Sequence, residues 1–271
     1  MIIDGRGLAQ NIIAELKKSV HDFSGKKVVG ILVGDAPDSL SFLRQKKKTA
    51  AMLGIDFSIK KIKAPIEPEV LYKKVRKIAG DPTVVGAIVQ LKIPDYGKEE
   101  TQKVLNAIPP GKDIDCLGEE WSRRFYDDPI NSKIAPPAAG AVRTILDALN
   151  VRDLRGKKAV VYGFGRLVGQ PANAWLVSVG ADVTVLRTIS TDEERRRALG
   201  AADIVVTGVG KPGLVTGGMV CPGTIVIDFG YPAASDAASI DAIGGLVTPT
   251  PGGTGPLLVA ELFRNLFKLY P

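Results

Sequence analysis

The chain has 271 residues, 45% of them hydrophobic, which suffices for one large or two smaller cored domains and excludes a disordered protein. Its formal charge of +7 comes with short basic clusters only, Lys46-Lys47-Lys48 and Arg195-Arg196-Arg197, without a zinc pattern or aromatic-basic RNA-binding motif, so no nucleic-acid partner is expected. Two cysteines and the lone His21, on an expected surface helix, exclude a disulfide scaffold and a multi-histidine metal centre, and no apolar run reaches the ~18 residues of a membrane span, so no membrane partner and a cytoplasmic location are expected.

Leu8, Ile12, Ile13, Leu16 and Val20 recur at helical spacing, and Lys27 to Gly34 reads as a buried strand ending in a turn. Asp38 or Ser39 is expected to cap a second helix that Gly54 stops near Leu53. A strand over 55–62, a helix over 68–79 and a strand over 84–91 continue the α/β alternation. Residues 121–136 lack clean periodicity and include Pro129 and Pro136-Pro137, which marks a domain boundary. Helical spacing resumes at Val142, Ile145, Leu146 and Leu149. Strands over 158–163, 182–186, 203–207, 223–228 and 245–248, with a helix over 167–179, predict a doubly wound parallel sheet. Rigid backbone over 248–256 then leads into an apolar helix from Leu257 to Leu269.

Gly163-Phe164-Gly165-Arg166-Leu167-Val168-Gly169 follows a strand and opens a helix, the context of a dinucleotide loop, although its third glycine falls one residue later than in GxGxxG. Gly163 and Gly165 let backbone approach a pyrophosphate at a helix amino terminus. The next strand ends at Leu186-Arg187-Thr188 without the acid that would hold a free ribose diol. Arg187, assisted by Thr188, suits a 2′-phosphate, so NADP is favoured and NAD stays possible. Gly208-Val209-Gly210 follows another strand and either passes beneath the cofactor or forms a plain turn before Lys211. Asp228 reads as a structural loop organiser.

Ser39, Phe42 and Lys46 share one helix face after a strand-end glycine. The lysine cluster is either a wet surface or, at Lys46, a buried group suited to acid–base work. Gln90 ends a strand and is placed to accept from Lys46. Asp113 and Asp115 are either a structural turn pair or, at Asp115, the recognition group for a donor-rich heterocycle. No metal site is expected.

In their order along the chain, Val33 to Ser39, Lys46-Lys47-Lys48, Val89-Gln90-Leu91, Lys112-Asp113-Ile114-Asp115, Val168-Gly169-Gln170-Pro171, Val209 to Gly213, Val226-Ile227-Asp228 and Thr248 to Pro256 resemble the bifunctional methylenetetrahydrofolate dehydrogenase/methenyltetrahydrofolate cyclohydrolase (FolD) family. The resemblance implies two α/β domains around a cleft, the second Rossmann-like. Residues 1–134 with a returning helix 255–271 would bind the folate, and residues 135–254 would bind NAD(P). It implies a homodimer, NADP as hydride acceptor, a tetrahydrofolate derivative as substrate, and hydrolysis of the methenyl product to 10-formyltetrahydrofolate. Lys46 would be the cyclohydrolase group, Gln90 its tuner and Asp115 the grip on the pterin, with Ser39, Phe42, Gly252, Gly253 and Pro256 lining the substrate. Gly163, Phe164, Gly165, Arg166, Leu167, Val168, Arg187, Thr188, Gly208, Val209 and Gly210 would hold the cofactor.

The sequence departs from the family pattern in several places. Phe42 stands in place of Tyr, Lys92 in place of a strand-end proline, Cys116 in place of glycine, Gly163-Phe164-Gly165 in place of Gly-Arg-Ser, and the Pro-Cys-Thr-Pro passage is altered around Ala135 to Ala138. A monofunctional dehydrogenase, lacking the tyrosine hydroxyl, is the alternative enzyme, and a noncatalytic dinucleotide-binding protein is the alternative outside enzymology.

Overall fold

The computed structural model describes residues 1–19 and 21–270. Val20, expected in the first helix, and Pro271, the end of the expected returning helix, lie outside the described residues. The chain opens with α1 (Gly5–Lys18), β1 (Lys27–Val33), α2 (Pro37–Met52), β2 (Asp56–Ile62), α3 (Pro68–Gly80), β3 (Val84–Val89), α4 (Lys98–Leu105) and α5 (Glu119–Asp127). It continues through α6 (Pro137–Ala148), β4 (Lys158–Tyr162), α7 (Gly169–Ser178), β5 (Asp182–Leu186), α8 (Asp192–Leu199), β6 (Ile204–Thr207), β7 (Ile225–Asp228), α9 (Ala237–Ala242), β8 (Leu246–Val247) and α10 (Thr254–Leu269).

Two compact units result. The first comprises residues 12–127, 132–136 and 259–271, and the second comprises 1–11, 128–131 and 137–258. The expected split put residues 1–11 in the first unit. They group with the second because Ile2 bridges Val247, the Ile3 N–H donates to the Val247 carbonyl at 2.8 Å, and Gly5 is packed so closely on Gly253 that a Cβ would lie 2.0 Å from its carbonyl oxygen.

The first unit holds a parallel sheet in the order β2-β1-β3. β1 is apolar on both faces because both are covered, as a central parallel strand requires. Val29, Ile31 and Val33 pack with Leu71 and Val75 of α3 and Val104 of α4. Val28 and Leu32 face the other way, onto Leu43 and Ala50 of α2 and Val259, Leu262, Phe263 and Leu266 of α10. The last turns of α10 therefore complete this core.

Three local expectations are corrected. Neither Asp38 nor Ser39 caps α2, which starts at Pro37 behind Ala36, a residue whose side chain makes no cap hydrogen bond. Proline tolerates that position because the first turn lacks N–H partners in any case. Residues 119–127 are helical although they carry few apolar positions, since burying Trp121 and Phe125 four residues apart is enough to anchor α5. His21 lies beyond the end of α1, not on a surface helix, with its ring edge-on to Phe267 at 4.8 Å and stacked on Phe23 at 5.9 Å.

The second unit is a five-stranded parallel sheet in the order β5-β4-β6-β7-β8. The chain leaves β4 toward β5 on one side and returns to β6 on the other. This is the doubly wound reversal whose switch point opens a crevice at the carboxyl ends of β4 and β6. No helix among the described residues is long and apolar enough to cross a membrane.

Asn265, 4% exposed on α10, is the polar stitch of the first unit. Its Nδ2 donates to the carbonyls of Ile114 at 3.0 Å and Ala135 at 2.8 Å, and its Oδ1 accepts the Ala135 N–H at 3.4 Å. An orphaned buried group costs about 1–3 kcal/mol. Asn265→Leu is therefore expected to lower the unfolding free energy by about 2–4 kcal/mol in urea titrations, whereas a change under about 0.5 kcal/mol, the usual range for a surface substitution, would contradict this role.

Candidate active site

α2 leaves the carboxyl end of β1 and carries Ser39 in its first turn, then Phe42 and Lys46 on the same face. Of the three consecutive lysines, Lys47 and Lys48 are exposed while Lys46 is 4% exposed. Its Nζ lies 4.8 Å from the Phe42 ring centroid and donates to Gln90 Oε1 at 3.1 Å. Gln90 is fixed in turn. Its backbone N–H extends the β3 ladder to the Ile31 carbonyl at 2.8 Å, and its Nε2 donates to the Leu91 carbonyl at 3.2 Å, so Oε1 is the atom left for the amine. Lys92 follows Leu91 through a cis peptide.

A parallel bridge pairs Ala87 with Asp113, and Asp115 follows in the turn just beyond it, within electrostatic reach of Lys46. Burial pushes the Lys46 ammonium below its ordinary value, and the Asp115 carboxylate partly offsets this. Burial likewise pushes Asp115 up, offset by Lys46. The structure thus brings Phe42, Lys46, Gln90 and Asp115 into one electrostatic group, with Ser39 half-buried two turns upstream on the same helix face.

Asp113 does the structural work beside it. Fully enclosed, it accepts the N–H groups of Leu117 at 3.3 Å and Gly118 at 2.8 Å, closing the turn that presents Asp115. Inside that turn Cys116 adopts φ +58, a left-handed conformation unfavourable for a side chain. Its buried thiol is pushed up by burial and by Asp113 and Asp115. Lys112 is occupied elsewhere, donating to the Ala79 and Asp81 carbonyls at 2.8 and 2.9 Å.

In the second unit, Gly163 leaves β4 at φ +89, and a Cβ there would lie 2.5 Å from Val209. Gly208 is packed against Val168 at 2.8 Å by the same measure, so the loops after β4 and β6 meet at the switch point. Gly169, at the start of α7, lies so close to the Gly163 carbonyl that a Cβ would sit 2.0 Å away, while Gly165 has open space above it. Arg187, exposed at the end of β5, lays its guanidinium 4.9 Å over the Phe164 ring. Thr188 is exposed, and its carbonyl accepts from Arg195 at 3.0 Å. Arg166 is half-buried in the same turn and Leu167 points outward at 48% exposure. Gly210 is tight against the Tyr231 carbonyl. A glycine turn with open room, a helix amino terminus and a nearby arginine fit a dinucleotide phosphate.

Residues 3–115 match the model of the tetrahydrofolate dehydrogenase/cyclohydrolase catalytic domain, and residues 136–271 match that of the NAD(P)-binding domain of the same enzymes. The chain belongs to the tetrahydrofolate dehydrogenase/cyclohydrolase family. It is 30% identical over 277 residues to the bifunctional protein FolD of Hydrogenobaculum sp., covering 99% of this chain and 98% of that protein. Among solved structures it resembles the Trypanosoma brucei FolD complexed with NADP cofactor and inhibitor, with TM-score 0.89, 29% identity and coverage of 100% and 97% of the two chains. It also resembles a 5,10-methylenetetrahydrofolate dehydrogenase from the silkworm Bombyx mori, with TM-score 0.87, 30% identity and coverage of 99% and 97%.

Within this tetrahydrofolate dehydrogenase/cyclohydrolase framework, Gly252, Gly253 and Pro256 form the passage into α10. Gly252 has φ +102, Gly253 admits no Cβ against the Pro249 carbonyl, and Pro256 lies in the first helical turn, two residues after the helix start. Asp228, wholly buried, accepts from the Gly230 N–H and from the Ser235 N–H and Oγ, each at 2.7 Å, while its own N–H and carbonyl engage Thr248 and Thr254 at 2.8 Å. It organises loops, as read. Ser235 and Asn265 were not marked by the sequence, because isolated polar residues carry no periodic signal.

Burial raises the Asp113 carboxyl from 3.8 to about 6, against the backbone N–H groups that hold it. A raised acid favours the protonated folded state, so its contribution is full below about pH 4 and lost as pH climbs through about 6, amounting to about 3 kcal/mol across that window. The stability of the wild type relative to Asp113→Asn is therefore expected to fall as pH rises from about 4 to about 6.5. A pH-independent difference in urea midpoints would contradict it.

Proposed function

We propose that this chain oxidises 5,10-methylenetetrahydrofolate with NADP and hydrolyses the 5,10-methenyl product to 10-formyltetrahydrofolate, with Lys46 managing protons in the second step. The observation that carries this reading is the buried Lys46 amine held on Gln90 Oε1 beside Asp115. A lysine depressed by burial is neutral in a larger fraction of molecules near neutral pH, and a neutral amine accepts a proton from water adding to the methenyl carbon. Donation to Gln90 fixes one N–H and so restricts the nitrogen lone pair to the two remaining staggered directions.

Asp115, raised by burial, gains partners when pterin N–H groups face it, which positions the one-carbon unit over Lys46. The Phe42 ring supplies an apolar wall and a stacking face without a hydroxyl. When bound, the nicotinamide supplies the hydride acceptor. Gly163, Gly165 and the α7 amino terminus receive the pyrophosphate, and Arg187 with Thr188 receives the 2′-phosphate. A homodimer joined through the nucleotide-binding units belongs to the same reading, supported by the unpaired edge of β5 and the exposed Val177 beside it. So does a cytoplasmic location.

Two experiments test the reading. With methylenetetrahydrofolate and NADP, the wild type is expected to form NADPH and clear methenyltetrahydrofolate faster than the uncatalysed control. Lys46→Ala should keep NADPH formation and lose hydrolysis by at least about 100-fold; near-normal hydrolysis by a folded variant would sink the assignment. Background-rate clearance by the wild type would leave a dehydrogenase alone, the outcome that the missing hydroxyl at Phe42 favours.

The second is a pH profile. Because the Asp115 carboxylate holds the Lys46 value up, Asp115→Asn should move the rising limb of hydrolysis to lower pH. A limb that stays put or moves upward contradicts the coupling.

A further inference from the structure

We propose that Phe164 sets cofactor specificity by holding Arg187 ready for the 2′-phosphate, as a positioning residue and not as a phosphate ligand. The inference rests on the reading of Arg187 given above and concerns the residue that replaces arginine in the family's Gly-Arg-Ser turn.

Adjacent parallel strands β4 and β5 end side by side, with Tyr162 paired to Leu186. The turn after one strand therefore meets the first residue beyond the other. There the Arg187 guanidinium stacks 4.9 Å over the Phe164 ring, and no ion pair among the described residues engages it. An exposed arginine left alone samples many rotamers, and a phosphate that captures it must fix it, at an entropic cost of up to about 2 kcal/mol. A ring against one face removes much of that freedom and leaves the N–H fork at the edge open for two phosphate oxygens.

The backbone beneath is pinned as well. The Arg187 N–H donates to Ser190 Oγ at 3.1 Å, and Arg195 donates to the Thr188 carbonyl at 3.0 Å while pairing with Asp192 at 2.9 Å. Of the three acids that open α8, Asp192 is engaged by Arg195 and Glu194 by the Thr191 N–H at 2.7 Å. Gly165, whose added Cβ would meet nothing within 4 Å, leaves room beside the ring. The arginine and serine that the family pattern places in this turn are thus replaced by an aromatic platform under an arginine from the next strand.

Calorimetric titration with NADP, NAD, 2′,5′-ADP and 5′-AMP reads this directly, without turnover. Phe164→Leu, which keeps bulk and loses the ring, should weaken NADP and 2′,5′-ADP about 2- to 5-fold more than it weakens NAD and 5′-AMP, the exposed cation–π range. Phe164→Tyr should restore wild-type affinities. In an Arg187→Ala background, Phe164→Leu should have no further effect on NADP. Equal weakening of NAD and NADP by Phe164→Leu, or an undiminished effect without Arg187, would overturn the positioning role while leaving the Arg187 reading intact. An unchanged NADP-to-NAD ratio in Arg187→Ala alone would overturn both.

Discussion

A lysine ammonium loses several kcal/mol of hydration when it is taken out of water, and Lys46 is almost wholly enclosed. What surrounds it decides whether that penalty gives inert structure or chemistry. A close carboxylate alone would make a buried ion pair and keep the lysine charged. Here burial is the largest influence, the carboxylate of Asp115 opposes it only in part, and the direct hydrogen-bond partner is the neutral amide of Gln90. The first unit therefore holds an amine whose charged form burial disfavours, and the Asp113 turn, the β3 extension and the Asn265 stitch all act to keep its neighbours in place.

The two units solve the same geometric problem twice. In each, a parallel sheet reverses its winding, and the loops leaving the reversal carry the groups of interest: the turn after β1 leading to Lys46 and the end of β3 at Gln90 in one, the turns after β4 and β6 in the other. Such a switch point gathers residues distant in sequence because neighbouring strand ends open away from each other. In the second unit close approach is bought with glycine, since Gly163, Gly169 and Gly208 each sit where a methyl group would strike backbone or a branched side chain.

Much of this was legible in the sequence, for definite reasons. The apolar runs at 27–33, 84–89 and 158–162, short and bounded by turn residues, read as covered strands, and the Phe42–Lys46 spacing fixed their shared face. The glycine-rich turn after a strand and the acid-free end of β5 made that loop the candidate for the cofactor. Composition alone could not tell which of three consecutive lysines turns inward, because that depends on the rotation of α2 against β1. α5 stayed hidden because only Trp121 and Phe125 are buried in a charged segment. That residues 1–11 pack with the second unit was not visible, because a short bridge to β8 leaves no periodic trace. The Phe164–Arg187 stack, 23 positions apart in sequence, depends on strand adjacency that no local pattern encodes.

The most direct measurement of the account is the protonation of Lys46 itself. Protein labelled with carbon-13 at the lysine ε position, titrated by NMR with Lys46→Ala to assign the resonance that disappears, reads it without substrate or cofactor. The account predicts that this lysine titrates below the ordinary value of 10.5, and further below it in Asp115→Asn. A Lys46 that titrates at or above that value would mean that its burial is compensated by charge, and the proton-accepting role would fall with it.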